Sequence, residues 1–437
     1  MGFLYRSSMK IEQRKLTHFI NGIKFIDLDC LEYAVQQKLF NGSSYQYLLK
    51  SHKKKGHKDH LISLTIFQEI LRKHPKKQTC WCLSSLNFID CHFNKEKMKK
   101  TTQNENFQLL KNNFSYRGCL HQNVSNCSGL IIKAHSISRK GSLEYISTNQ
   151  HVYGMKFDFN GFIFSKIGIR NASTFTGFCK WHDDILFSSF EKNNFKRTSK
   201  QLFDLSYRAI CIEYNSMQSV VNLLTLLKKN IDNSQDTPTQ ISRQIGINSQ
   251  ISFYKLGIKY SNYYKIKMED LYKKASHENL LEHYIFELAD GYPKFQSSSC
   301  FNLNFDLDGN ILQNLDDPYT QSKNLFVNCL TFNKRGYLIL SWFYENHDFG
   351  EKIIHSIIND PEKIEDKLFT LIFLYIHNTY VSPKWYENLT DDQVKKMKSL
   401  QEFWIETDKF TPNMICSNFD SIKVKKHYLF QQNQTDK

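Results

Sequence analysis

Apolar positions recur with helical spacing over the front of the chain. Residues 9–74 carry hydrophobic side chains at steps of three and four, which predicts amphipathic helices. A basic loop over residues 51–58 interrupts them, and Pro75 ends the last one. We therefore expect a basic helical region over residues 1–78.

The rear of the chain combines both periods. Residues 214–290 return to helical spacing, broken by a polar stretch at 232–240. Residues 294–345 read as antiparallel strands joined by glycine-containing turns, and helical spacing returns after them. The predicted fold class is α+β, with a C-terminal domain (214–437) of helices and a small antiparallel sheet.

Composition places the chain among soluble globular proteins. Its 437 residues are 41% hydrophobic and 14% aromatic, too apolar for a disordered chain. No apolar run reaches the length of a membrane span, and the first residues lack the hydrophobic core of a signal peptide. Eleven cysteines is an odd number, and several have metal-ligand spacing. We expect a reducing, cytoplasmic location and no membrane partner.

Positive charge is concentrated at the front. Residues 1–118 hold 21 Lys and Arg against 9 Asp and Glu, a net charge of +12 out of +15. Such asymmetry indicates a polyanionic partner, most simply nucleic acid. A lysine-rich solvated surface explains it equally well. The candidate phosphate-binding residues are Lys53, Lys54, Lys55, Lys76, Lys77, Lys99 and Lys100.

The stretch CWCLSSLNFIDCH, residues 80–92, carries the clearest chemistry. Cys80 and Cys82 are followed after eight residues by Cys91 and His92. Three thiolates and an imidazole are a complete tetrahedral ligand set for a structural Zn²⁺. Separately buried, reduced cysteines are the alternative. We predict a zinc knuckle over residues 79–100.

This spacing resembles the SEC-C motif, C-x-C-x8-C-[CH], known from the tail of the bacterial preprotein translocase ATPase. The usual Gly-Ser-Gly after the second cysteine is here Leu83, Ser84 and Ser85. In the translocase the motif is a partner-binding appendage. The resemblance therefore implies a possible protein partner as well as a zinc ion.

A second set of ligands spans residues 101–213. Cys119 and Cys127 bracket a turn-rich loop, a strand follows, and Cys179 and His182 open a helix. A cysteine pair in a loop, a hairpin and a ligand pair at a helix start are the layout of a treble-clef zinc module. His121 is the alternative ligand for this set. The alternative is that these cysteines are ordinary core residues.

This module resembles the HNH (ββα-metal) nucleases. The resemblance implies that His135, in IIKAHSI, is a general base and that Asp183 holds a catalytic Mg²⁺ or Mn²⁺ ion. Asn149 or His151 would orient the base. The family usually has Asp before the base, where this chain has Ala134. A buried strand histidine is the alternative for His135.

Residues 80–215 are also similar to an uncharacterised group of bacterial proteins. That group pairs a SEC-C motif with an AHSI strand and an STFTGFC-x2-HD segment, which stand in that order here. We expect a cytoplasmic protein that binds two zinc ions and acts at nucleic acid. The most specific version of this expectation is an HNH-like nuclease. The alternative is a non-catalytic, zinc-stabilised docking module for protein or nucleic acid.

Overall fold

The computed structural model describes residues 16–57, 60–102, 104–106, 108–109, 115–158, 161–274, 280–315, 320–406 and 410–431. The chain forms two compact units that are not consecutive in the sequence. The first unit consists of Met1–Phe114 and Gln218–Gly257, and the second of Ser115–Met217 and Ile258–Lys437. The division predicted from the sequence, in contrast, has four consecutive segments.

The first unit contains a three-stranded antiparallel sheet and several short helices. Its elements are β1 (Thr17–Ile20), β2 (Ile23–Asp27), α1 (Leu28–Gln36), α2 (Gly42–Lys54), β3 (Leu61–Ser63), α3 (Leu64–Arg72) and α4 (Phe88–Cys91), with a 3₁₀ turn at Lys95–Lys97. The strands pair in the order β1-β2-β3. Asp27, Asn41 and Ser63 cap the first three helices through their side-chain oxygens.

The prediction of helices throughout residues 9–74 is wrong for residues 17–27 and 61–63, which are strands; residues 9–15 lie outside the described part of the chain. Asn21 and Gly22 have φ values of 49° and 78° and form the two-residue turn between β1 and β2. Asn-Gly is the strongest short-range hairpin signal, and it outweighs the helical spacing here. The predicted basic loop also begins too early, because residues 51–54 complete α2.

The core of the first unit lies beneath the CWC segment. Trp81 is fully buried, with its ring 5.9 Å from that of Phe40. Leu48, Phe67 and Ile70 belong to the same cluster. The two cysteines that flank Trp81 are therefore fixed by the burial of the large side chain between them.

The second unit is built on an eight-stranded antiparallel sheet, with strand order β13-β8-β11-β10-β9-β12-β5-β6. These strands are β5 (His151–Asp158), β6 (Gly161–Gly168), β8 (Leu281–Leu288), β9 (Phe295–Phe301), β10 (Leu325–Phe332), β11 (Arg335–Phe343), β12 (Thr379–Val381) and β13 (Val424–Leu429). A separate two-stranded sheet pairs β4 (Ile131–His135) with β7 (Thr174–Cys179).

The helices of the second unit flank these sheets. They are α5 (Glu144–Ile146), α6 (Lys180–Leu186), α7 (Ser188–Glu191), α8 (Ser199–Leu227), α9 (Thr237–Lys274), α10 (His347–Ile358), α11 (Ile364–Tyr375), α12 (Pro383–Tyr386) and α13 (Asp391–Glu406). Residues 218–227 of α8 and 237–257 of α9 belong to the first unit. Short 3₁₀ turns occur at Val124–Asn126, Tyr344–Asn346, Pro361–Lys363 and Pro412–Met414, and an irregular turn at Arg139–Leu143.

Alternate side chains of the central strands enter different cores. On β11, Leu338 and Leu340 join the core that includes α10 and α11, whereas Ile339 joins the core that includes residues of α8 and α9. Both faces of the sheet are thus covered. A strand buried on both faces has no polar side, so its sequence lacks the alternation that identifies a half-buried strand.

The predicted fold has two errors, and double burial explains the first of them. Residues 277–288 were expected to be helical, but Leu281–Leu288 is a strand between β11 and β13. The sheet is also not small, since it has eight strands and includes two from residues 151–168. The mixed α+β character and the helices after residue 347 agree with the prediction.

Candidate metal centres

The first cluster consists of Cys80, Cys82, Cys91 and His92. The chain folds back on itself here, because Cys80 N–H donates to Leu86 O and Phe88 N–H donates to Gln78 O, each at 2.8 Å. This pairing brings α4, which ends at Cys91, against the Cys80–Cys82 turn. The fold thereby brings the four metal-ligand atoms of the cluster close together.

The turn after Cys82 has an unusual backbone. Leu83 and Ser85 have φ values of 63° and 62°, in the left-handed region that favours glycine. They occupy the two glycine positions of the Gly-Ser-Gly that usually follows the second cysteine of a SEC-C motif. The tight turn therefore forms without glycine, at a cost of about 1 kcal/mol or more per residue.

The ligand atoms of the first cluster fit one tetrahedral ion. His92 Nδ1 lies 3.2 Å from Cys80 Sγ and 3.1 Å from Cys91 Sγ, and Cys82 Sγ lies 3.5 Å from Cys91 Sγ. All four atoms lie within 4.8 Å of one another. Metal–ligand bonds of about 2.0–2.3 Å give edges of roughly 3.5–3.8 Å in a tetrahedron, so small shifts suffice.

A buried polar network lies on the other side of His92. His92 Nε2 is 2.8 Å from Asp232 Oδ2, and both side chains are almost completely buried, at 1% and 0% exposure. Lys95 Nζ lies 2.6 Å from Asp232 Oδ1, and Gln244 donates to Asp232 Oδ2 at 2.9 Å. All of Asp232's near neighbours in this network come from the first unit.

Hydrogen bonds at the first cluster oppose the effect of burial on the pKa values of its side chains. Burial lowers the pKa of His92, but its hydrogen bonds with the Asp232 carboxylate, Cys82 and Cys91 raise it to about 10. Burial raises the pKa of Asp232, whereas the hydrogen bonds of His92 and Lys95 bring it below its ordinary value. Hydrogen bonds from Cys80 and Cys91 also lower the pKa of Cys82. Burial and the neighbouring thiols Cys82 and Cys91 raise the pKa of Cys80, so the thiolate is favoured at Cys82 and not at Cys80.

The second cluster consists of Cys119, Cys127, Cys179 and His182. The loop with the first two cysteines is attached to β7, since Leu120 N–H donates to Gly177 O at 2.9 Å. Cys179 ends β7 and caps α6, where its Sγ accepts from His182 N–H at 3.5 Å. Strands β4 and β7 are separated by residues 136–173 in the sequence but pair with each other. Their pairing thus connects the two ligand pairs.

His182 Nδ1 is central to the second cluster. It lies 3.2 Å from both Cys119 Sγ and Cys179 Sγ, and the four ligand atoms lie within 4.8 Å of one another. Burial raises the pKa of Cys179, but the N–H groups of His182 and Ser128 lower it to about 5. His121 stacks on His182 with ring centroids 4.3 Å apart, beside the four ligands. The structure thus brings together the eight predicted ligands in the predicted groups of four.

The same ion pair acts on His135 and Asp183. The charges of Glu191 and Arg208 influence both side chains, and Arg208 forms an ion pair with Glu191 at 2.6 Å. Burial lowers the pKa of His135, and burial raises that of Asp183 to about 6. An imidazole with a lowered pKa is neutral at pH 7.

The hydrogen-bond partner of His135 is not the predicted one. Its Nδ1 lies 3.4 Å from Ser173 Oγ, whereas His151 is exposed and its Nδ1 lies 2.6 Å from the carbonyl of Asn149. The expected orienting role of Asn149 or His151 therefore finds no contact among the described residues. Among the described residues, two groups of three or more side chains could hold a metal ion, and these are the two cysteine–histidine clusters. Neither group includes His135 or Asp183.

All seven predicted phosphate-binding lysines are exposed. Lys55 pairs with Glu69 at 2.9 Å, Lys99 with Glu105 at 3.5 Å, and Lys76 lies over the ring of Phe93 at 4.1 Å. No acidic partner is found within the described residues for the other four. Exposed lysines thus occur both before and after the first cluster in the sequence.

No family model matches the chain, and comparisons with curated proteins and with solved structures give no match. The resemblances to the SEC-C motif and to HNH nucleases therefore rest on the sequence motifs. Over the part of the chain that the structure describes, no helix has the length and apolar character needed to cross a membrane.

Asp232 and Glu269 are buried acids beside the two clusters that the sequence did not indicate. Asp232 lies in the polar break before α9, and Glu269 is a fully buried acid within α9, near the second cluster. Each is far along the chain from its ligand set. Residue spacing within a short segment does not predict contacts between residues this far apart in the sequence. It also does not indicate which charged side chains are buried.

Proposed function

We propose that the protein binds one zinc ion in each cluster and acts at nucleic acid. Three thiolates and one imidazole form a soft donor set that suits zinc, and each cluster supplies four protein ligands. A catalytic zinc site keeps one position open for water or substrate, so four protein ligands indicate a structural role. The β4–β7 ladder followed by α6 supports the treble-clef interpretation of the second cluster.

The exposed lysines around the first cluster are the observation that carries the nucleic-acid proposal. Lysines in the segments before and after a zinc-braced knuckle can contact phosphates without first becoming exposed. The first 118 residues supply most of the net positive charge. Such contacts release counterions, so binding should weaken steeply as salt concentration rises.

The test is fluorescence anisotropy with labelled duplex and single-stranded oligonucleotides between 50 and 300 mM salt. The variant Lys76→Glu/Lys77→Glu should bind more weakly and show a salt slope that is shallower by about one per lost phosphate contact. Lys334→Glu/Lys352→Glu, two exposed lysines of the second unit, is the matched control and should retain wild-type binding. Binding that does not change with salt would refute the proposal.

Hydrolysis of nucleic acid at His135 and Asp183 is the second candidate function. It is favoured by the lowered pKa of His135, since a neutral imidazole can accept a proton from water, and by the charges of Glu191 and Arg208, which act on both residues. The described residues do not complete an oxygen-ligand set for Mg²⁺ or Mn²⁺ there.

Cleavage assays with and without Mg²⁺ or Mn²⁺ test this second candidate. His135→Ala should abolish cleavage, whereas His151→Ala, at an exposed histidine, should not. Wild-type protein that holds two zinc ions, binds oligonucleotides and cleaves none would be a non-catalytic docking module. That outcome would remove the hydrolytic candidate and leave the nucleic-acid proposal intact.

A further inference from the structure

Each metal-ligand histidine has a buried carboxylate associated with it. At the first cluster, Nδ1 of His92 faces the thiols while Nε2 lies 2.8 Å from Asp232 Oδ2. Asp232 is fully buried and also pairs with Lys95, whose side chain is 4% exposed. A charge with so little access to water needs such partners to remain ionised.

The second cluster also has a buried carboxylate beside a buried lysine. Glu269 is buried and pairs with the equally buried Lys265 at 2.7 Å through Oε1, which also accepts from the Tyr207 hydroxyl. Lys265 donates in turn to Leu120 O at 2.6 Å, next to Cys119. The carboxylate is therefore attached to the loop that carries the first ligand of this cluster.

Two buried atoms at the second cluster have no hydrogen-bond partner among the described residues. One is Nε2 of His182, and the other is Oε2 of Glu269. Burial lowers the pKa of His182, and the charge of Glu269 acts in the opposite direction. Buried polar atoms are nearly always paired, and a donor nitrogen and a carboxylate oxygen satisfy each other directly or through one water molecule.

We propose that Asp232 and Glu269 are the positioning carboxylates of the two metal centres, a role that rests on zinc binding as proposed above. Asp232 accepts the Nε2–H of His92 directly, and Glu269 accepts that of His182 through one bridging water molecule. Each carboxylate so keeps Nδ1 of its histidine deprotonated and directed at the metal ion. Such partners fix the tautomer and the ring orientation and make the imidazole a stronger ligand.

The paired lysines explain how these carboxylates are tolerated. Three thiolates and a divalent ion carry a net charge of about −1, and a carboxylate beside them makes it about −2. Lys95 and Lys265 each return one positive charge to the buried site. Asp232 and Glu269 both lie between residues 228 and 274, so one segment supplies an acid to each centre.

The test measures zinc affinity of the full-length protein by competition with a chromophoric chelator. Asp232→Asn and Glu269→Gln keep the shape of the side chain and remove its charge. Each should weaken one of the two bound zinc ions by about 10–100-fold and leave the other unchanged. Asp204→Asn is the control, because Asp204 is buried, pairs with Lys200 at 2.9 Å and accepts from Tyr272, yet lies outside both clusters.

The control should lower thermal stability without changing zinc affinity, which separates positioning from general destabilisation. If a variant does not fold, ¹⁵N-histidine NMR of the zinc-loaded wild type gives an independent answer. Two histidines should be metal-bound at Nδ1 with a slowly exchanging Nε2 proton. Folded variants with wild-type zinc affinity, or rapidly exchanging Nε2 protons, would overturn the inference alone. Wild-type protein without zinc would overturn it together with the proposed function.

Discussion

Loss of one thiolate from the first cluster should unfold the first unit locally. Cys82 is 1% exposed and follows Trp81, whose ring lies 5.9 Å from Phe40 and 4.2 Å from His92. In Cys82→Ser, three donors remain, zinc binding weakens, and the turn that holds Trp81 in the core is no longer closed. Because metal binding and folding are coupled, the lost affinity appears as lost stability.

The magnitude follows from the buried tryptophan. Removing a large aromatic side chain from a core costs about 3–5 kcal/mol, and zinc at a thousand times its dissociation constant contributes about 4 kcal/mol. These figures describe the same opening event and are not added. We therefore expect Cys82→Ser to lower the free energy of unfolding of the first unit by about 3–5 kcal/mol.

Urea unfolding of protein labelled with 5-fluorotryptophan gives the required resolution. Trp81 is the one tryptophan of the five in the sequence that lies within the segments of the first unit, so its ¹⁹F resonance reports on that unit. Cys30→Ser is the matched control, since Cys30 lies in α1 of the same unit and outside both clusters. Equal midpoints and equal zinc contents for the two variants would refute the reasoning.

Three further predictions follow from burial and backbone geometry. A chelator should remove zinc from the wild type in two phases, faster at the second cluster, where Cys119 and Cys127 are half-buried, and a single phase would contradict this. Leu83→Gly or Ser85→Gly should raise the free energy of unfolding by about 1 kcal/mol, because both residues have positive φ. The melting temperature should rise accordingly, and a lower melting temperature would contradict the turn geometry. Burial lowers the pKa of His283 from 6.5 to about 3, so between these pH values the folded state binds fewer protons than the unfolded state. The free energy of unfolding should therefore fall as pH drops below 6.5, by up to about 5 kcal/mol near pH 3. His283→Asn should flatten this dependence in pH-resolved denaturation curves, and an unchanged slope would be inconsistent with the burial of a neutral imidazole.

The first cluster was predictable because its ligands are close in the sequence. Cys80 and Cys82, with Cys91 and His92, form their pattern within thirteen residues, and the chain needs only one turn and α4 to close it. The second cluster depended on fold topology as well. Its two ligand pairs are far apart in the sequence, and the β4–β7 ladder joins them.

Other structural features were not predicted correctly because tertiary packing and turn residues outweigh the local hydrophobic pattern. The spacing of Phe19 and Ile23 indicated a helix, but the Asn21-Gly22 turn between them makes a hairpin. Leu281–Leu288 resembled a buried helix because both faces of that strand are covered. The contact between His92 and Asp232 joins residues 140 positions apart, and no periodicity encodes such a pair.

Metal content is the measurement that tests the central claim most directly. Elemental analysis should find two zinc ions per chain in the wild type and one in each of Cys80→Ser and Cys179→Ser, because these residues belong to separate clusters. Wild-type protein with no zinc, or a variant that retains both ions, would contradict the account. One zinc ion, lost only with Cys80→Ser, would mean that Cys119, Cys127, Cys179 and His182 form an ordinary core.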